Sequence, residues 1–353
     1  MRVPAVSRRA AGVSLAVVLS AVAIITADAK SDGSVDARAR SEVVDYVLNG
    51  LNRSYVFPEV AGKMTEAVRD RIAKGEYETI SDAREFADKL TADLQAVSRD
   101  KHLRVRLAGE GPQMRIMRGP TSGNGGGDDG GFARVEQLPG NVGYIDLRMF
   151  HPPQVAAEHA ANAMNRVADS DALIIDLRKN GGGSADMVAL LVSYLLGPER
   201  TLVNTFVGRD GNLRNETWTT PDLPGRRFTG KDVYVLTSSY TFSGAEEFAY
   251  DLKNLKRATL VGETTGGGAN PVDIVRINDR FQVAIPVARA VNPITKTNWE
   301  GVGVEPDVRV PAESALEAAH VAALKNKLAR SSDSETKRQL GELIAQIEQR
   351  TAA

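Results

Sequence analysis

Cysteine is absent from all 353 residues. That excludes disulfides, thiol catalysis and attachment of a lipid to a cysteine, so an exported form would depend on its apolar core. Histidine is scarce, with four residues, and no His-Glu-x-x-His pattern occurs. The chain therefore offers no metal constellation, and neither a metal nor a cofactor is expected. Charge of one sign is lacking as well. A net charge of −1 gives no basic surface for nucleic acid and no acidic tail for a basic partner. Aromatic residues amount to 5% and lack the regular spacing that stacks bases. Beyond the N-terminus no apolar run reaches membrane-spanning length, so a soluble product with no stable membrane span is expected.

What is present begins with an export-like start. Arg2, Arg8 and Arg9 precede an apolar run from Ala10 to about Thr26, and Ala27-Asp28-Ala29 has the small-x-small pattern of a signal-peptidase site. Residues 1–29 read as a signal peptide, and the mature chain is expected in the periplasm or outside the cell. Residues 36–103 read as a helical domain of about three helices. Val60, Met64, Val68 and Ile72 recur every four residues after Pro58, and Phe86, Leu90, Leu94 and Val97 recur similarly after Ser81, a candidate N-cap. Residues 109–131, rich in glycine and without an apolar period, read as a linker.

From Val135 onward strand and helix patterns alternate, giving an α/β unit over 132–311. The apolar runs at 142–147, 172–177, 232–236 and 258–262 suit buried strands. Asn278-Asp279 reads as the turn of a hairpin, and residues 312–353 read as a charged helical tail.

Four segments could carry chemistry. In Thr237–Glu246 a buried strand ends in a polar turn and Ser243 opens a helix. A nucleophile placed there would develop its oxyanion near the unpaired N–H groups and positive dipole end of the first helical turn. Ser243-x-x-Glu246 also fits a capping box, in which the serine merely caps the helix. In Asp176–Gly183 a strand runs into three glycines, a tight turn or a backbone site for an oxyanion; it lacks the pattern of a phosphate loop. His102, in Arg99–Leu103, lies at the junction of the helical and α/β parts. Glu300, beside Trp299 in a turn-rich loop, could orient an imidazole or could be idle.

Taken in order, these segments resemble the carboxyl-terminal-processing (tail-specific) serine proteases. The likeness is greatest to the branch with interphotoreceptor retinoid-binding protein repeats and the tricorn protease core. The carrying motifs are Asp-Lys-His102-Leu, Asp-Leu-Arg-Lys-Asn-Gly-Gly-Gly, Thr-Phe-Ser243-Gly-Ala-Glu-Glu, Gly262–Gly268 and Gly301–Asp307. The resemblance implies a crotonase/ClpP-like core of ββα units. It implies a peptide or protein substrate, Ser243 as nucleophile, and an oxyanion hole from Gly244 N–H with an N–H of Gly181 or Gly182. Many members use a Ser/Lys dyad, but here Gly268 stands where that lysine would be. The base implied is His102, with Glu300 as its partner and Glu246 as the alternative. Members also commonly carry a PDZ domain, for which 109–131 is too short. A rival reading is a non-catalytic carrier of retinoid or fatty acid type, its cleft lined by Phe242, Phe248 and Trp299.

Overall fold

The computed structural model describes residues 33–109 and 129–352. The signal segment 1–29 and most of the glycine-rich stretch 109–131 lie outside the described residues. In chain order the elements are α1 (Ala37–Ser54), α2 (Pro58–Ala73), α3 (Ala83–Ser98), β1 (Arg104–Leu107), β2 (Phe132–Leu138), β3 (Val142–Leu147), α4 (Pro153–Val167), β4 (Ala172–Asp176) and α5 (Ala185–Leu195). They continue with β5 (Leu202–Gly208), β6 (Leu213–Trp218), β7 (Asp232–Thr237), α6 (Gly244–Asn254), β8 (Thr259–Gly262), β9 (Val272–Arg276), β10 (Phe281–Pro286), β11 (Ala288–Val291), β12 (Val308–Arg309), α7 (Ala315–Arg330) and α8 (Ser334–Ala352).

Helices α1 to α3 start where their caps dictate. Asp36 accepts from Ala39 N–H at 2.8 Å, and Pro58 takes the first position of α2, where a missing N–H costs nothing. Helix α3 is capped by Asp82, which accepts from Glu85 N–H at 2.8 Å, and not by Ser81 as the sequence pattern had it. Phe86, Leu90 and Leu94 are fully buried. The α2 stripe holds only in part: Met64 and Val68 are buried, whereas Ile72 is 45% exposed. A strict four-residue step drifts around a helix of 3.6 residues per turn, so its far end leaves the buried face.

Strands β1, β10 and β9 form an antiparallel sheet in that order, and Phe281, Val283 and Ile285 of β10 alternate into the core of the three helices. The hairpin, which the sequence pattern grouped with the α/β unit, thus packs with the N-terminal helices. Its turn is set by Asn278 Oδ1, which accepts from the N–H groups of Arg280 and Phe281, both at 2.9 Å.

The remaining chain is a mixed α/β layer structure. Its sheet has the order β12-β8-β7-β4-β3-β2, parallel except for the antiparallel edge strand β2. Ile145, Leu147, Leu173 and Ile175 face a core shared with α4, α5 and α6, while Tyr144, Ile174, Tyr234 and Leu236 face α7 and α8. Burial on both faces explains the unbroken apolar runs. A smaller antiparallel sheet, β11-β5-β6, was not legible in the sequence pattern. Because β4, β7 and β8 are parallel neighbours, the loops after them leave from the same edge of the sheet. Those three loops carry the glycine run, Ser243 and residues 263–271.

Candidate active site

Ser243 follows β7 through a turn sewn to the glycine loop. Thr241 Oγ1 donates to Leu177 O at 2.8 Å, Ser238 Oγ donates to Arg178 O at 2.6 Å, and Phe242 N–H donates to Asn180 O at 3.2 Å. At the entrance to α6 the Ser243 backbone has φ 55° and ψ −124°, a conformation unusual for a residue with a side chain. Such a geometry costs on the order of 1–3 kcal/mol and persists only where the surroundings impose it. Glu246 completes a capping box from the third helical position, its Oε2 accepting Ser243 N–H at 2.9 Å. Glu246 thus caps α6 as the Ser243-x-x-Glu246 spacing leads one to expect.

The glycine loop lies against this turn. At Gly182, φ is +110°, and a Cβ there would come within 2.7 Å of Ser243 Cβ and 2.9 Å of Gly244 N. No side chain fits, so the backbone touches the serine directly. The family resemblance implied either Gly181 or Gly182 as the second oxyanion donor. The structure corrects the second choice, because Gly182 N–H is already donated to Asn180 Oδ1 at 2.8 Å. Among the described residues no acceptor takes the N–H of Gly181 or of Gly244, and these two remain as donors.

His102 comes from the turn between α3 and β1, in the N-terminal part of the chain. Its ring packs on Phe242, the residue before Ser243, with centroids 4.6 Å apart. Burial first, and then the charges of Arg104 and Arg106, push the imidazole down to about 4, so it is a neutral base at ordinary pH. His102 Nδ1 is buried without a hydrogen-bond partner. Glu300 Oε1 is likewise buried without a partner, while its Oε2 accepts from Ala269 N–H at 2.6 Å and Asn270 N–H at 3.1 Å. Donor atoms of His102, Glu300 and Asp100 lie within 4.8 Å of one another. A grouping so compact could hold a metal ion, but both oxygens of Asp100 and one of Glu300 already accept hydrogen bonds, which favours proton handling. Burial first, then the neighbouring charge of Asp100, pushes the Glu300 carboxyl up to about 7.

Glu246, the alternative partner for the imidazole, is committed elsewhere. Its oxygens accept from Ser243 N–H, Thr265 Oγ1, Gly267 N–H at 2.6 Å and Gly268 N–H at 2.8 Å. It ties the Ser243 turn to the loop after β8. The apolar cleft of the carrier reading is not formed: Phe248 and Trp299 are buried in the α/β core, and Trp299 Nε1 donates to Gly268 O at 2.8 Å. Sequence reasoning overlooked Asp100, Tyr55, Asn270 and Thr265. Asp100 sits two residues before His102, but Tyr55 and Asn270 reach the site only through the tertiary fold.

Comparison with known proteins places the chain in a family. Residues 141–310 match the pattern of peptidase family S41, and residues 37–123 match the N-terminal domain of family S41 peptidases described for eukaryotic IRBP. A carboxyl-terminal-processing protease of Synechocystis is 33% identical over 175 residues, covering 49% of this chain and 39% of that protein. The chloroplastic carboxyl-terminal-processing peptidase 2 of Arabidopsis thaliana is 29% identical over 185 residues, covering 51% and 35%. The chain thus spans well under half the length of these curated relatives. Among solved structures, a peptidase-like protein of Parabacteroides merdae superposes with a TM-score of 0.58 at 19% identity, covering 81% of this chain and 96% of that one. A lipoprotein of Streptococcus agalactiae gives the same TM-score of 0.58 at 14% identity, with the same coverage of 81% and 96%.

Proposed function

The chain belongs to peptidase family S41, and on that premise we propose that it is a serine peptidase working through Ser243, His102 and Glu300. The observation that carries this reading is the delivery of the His102 ring from the N-terminal part onto the residue adjoining Ser243. Lys101 Nζ donates to Gly266 O at 2.6 Å, which ties the turn carrying His102 to the loop after β8 and supports the same reading.

In the proposed reaction Ser243 Oγ attacks a peptide carbonyl carbon while His102 takes its proton and later returns it to the leaving amine. Ionised Glu300 stabilises the imidazolium formed in between. The N–H groups of Gly244 and Gly181 stabilise the oxyanion, a contribution of about 3–4 kcal/mol per donor. Position 268 supports histidine over lysine as the base. A Cβ on Gly268 would lie 2.7 Å from His102 Cε1 and 2.2 Å from Phe242 Cζ. A side chain there and an imidazole at this place exclude each other, so the two kinds of base are sterically alternative.

The substrate class we infer is a peptide or protein, as the names of the relatives imply for them. We infer export to the periplasm or beyond the cell, a reading supported by the charged-then-apolar pattern of residues 2–26; among the described residues no helix is long and apolar enough to cross a membrane. The decisive experiment is covalent labelling by a fluorophosphonate together with peptide hydrolysis, on the purified protein and on Ser243→Ala and His102→Gln. Labelling and hydrolysis should both require the two residues. Hydrolysis that survives Ser243→Ala would remove the proposal.

A further inference from the structure

Asp100 has no part in the chemistry described so far, yet it is 1% exposed and fully engaged. Its Oδ1 accepts His102 backbone N–H at 3.0 Å. Its Oδ2 accepts Asn270 Nδ2 at 2.9 Å and Tyr55 Oη at 3.3 Å. The turn around it is short: Asp100 N–H donates to Ser98 Oγ at 3.2 Å, and Leu103 N–H donates to Asp100 O at 3.3 Å. Asn270 is also 1% exposed, and its own backbone N–H donates to Glu300 Oε2 at 3.1 Å. One asparagine therefore grips, with two different N–H groups, the carboxylate that holds the His102 backbone and the carboxylate that faces the His102 ring.

We propose that Asp100 and Asn270 form a positioning clasp that fixes His102 relative to Glu300 and Ser243. Neither residue touches the reacting atoms; both act through the imidazole. The physical need is plain from the chain path. His102 sits in a turn just past the end of α3, beginning at Arg99 with a left-handed backbone (φ 57°). It must meet a serine and a glutamate contributed from far along the chain. Left to the turn alone, the ring would wander, and a misplacement of about 1 Å at a reacting group costs on the order of 10²-fold in rate. Hydrogen bonds to a buried carboxylate are the strong kind, because they are charge-assisted and shielded from water. Tyr55, at the end of α1, adds a longer third bond that anchors the clasp to the helical core.

This inference rests on the proposed peptidase reading for its rate effects but not for its structural ones, and the test separates the two. With four histidines in the chain, the His102 imidazole can be assigned by NMR from the His102→Gln difference spectrum. In Asn270→Ala the Asp100 contact is lost while the backbone N–H to Glu300 remains. The His102 ring signals should shift and broaden while those of His151, His159 and His320 stay. Protection of the His102 amide from hydrogen exchange should fall tenfold or more. Rates of fluorophosphonate labelling and kcat should drop about 10–100-fold with KM within threefold. Tyr55→Phe should produce the same pattern in weaker form, and Asn270→Gln, which keeps an amide donor, should restore part of the loss. Unchanged His102 ring signals and amide protection in Asn270→Ala would overturn the clasp, whatever the activity. If those signals respond but no Ser243-dependent labelling exists in the parent protein, the clasp stands and the peptidase reading falls.

Discussion

Replacing Gly182 by alanine probes the site where the glycine loop touches Ser243, the proposed nucleophile. A Cβ at this position would lie 2.7 Å from Ser243 Cβ, 2.8 Å from Phe242 O and 2.9 Å from Gly244 N. The last two are backbone atoms and cannot swing aside, so the loop and the start of α6 must part by several tenths of an ångström. The alanine must also hold φ at +110°, a penalty on the order of 1–3 kcal/mol. With overpacking of about 1–3 kcal/mol added, the total is about 2–6 kcal/mol. At roughly 2–4 °C per kcal/mol, Tm should fall by roughly 4–24 °C. Moving the glycine loop should also displace the proposed oxyanion donor Gly181, which would lower kcat by about 10²–10³-fold. Gly181→Ala is the internal control. Its Cβ would meet only Tyr240 Oη at 3.8 Å, so stability should change by less than about 0.5 kcal/mol and kcat by less than threefold. Calorimetry and peptide hydrolysis on both variants measure this contrast. A folded Gly182→Ala protein with near-parental kcat, or equal losses in both variants, would refute the placement of the glycine loop at the oxyanion.

Three further outcomes follow from buried carboxylates. Glu246→Gln should destabilise by about 2–4 kcal/mol, because the amide N–H₂ is turned toward donors now accepted by a carboxylate, and urea unfolding measures it. Glu300 titrates near 7 and helps only when ionised, so kcat should rise with pH through about 7. Glu300→Gln should lose that limb and about 10²–10⁴-fold of activity, read from a pH–rate profile. Burial pushes the wholly buried Glu247 up to about 7 from 4.5. The folded state then binds more protons than the unfolded one between those values, and stability falls as pH rises through that window. Glu247→Gln keeps an acceptor for Asn204 and should gain about 1–2 kcal/mol at pH 8, with no gain at pH 4.5.

Much of the frame was readable because it rests on local rules. The buried strands β3, β4, β7 and β8 declared themselves as apolar runs, and α6 declared itself through Ser243 and Glu246, whose spacing is that of a capping box. The hairpin turn at Asn278 was equally local. Strands β5, β6 and β11 were missed, since β6 shows a mostly exposed face with no alternation to detect. Ser81 was taken for the α3 cap because serine and aspartate are both good caps, and only the backbone geometry shows that Asp82 is the one used.

Residue types and their spacing along the chain determined which groups were available here: one serine at a helix mouth, one histidine at a junction, a glycine run after a strand and no cysteine. Whether those groups meet, and in what state, was decided by the tertiary structure. Parallel pairing of β4, β7 and β8 brings Gly182 beside Ser243, and the Asp100–Asn270 contact joins residues 170 apart in the chain. Burial then sets the protonation of His102 and Glu300, a property of surroundings that a linear sequence does not contain.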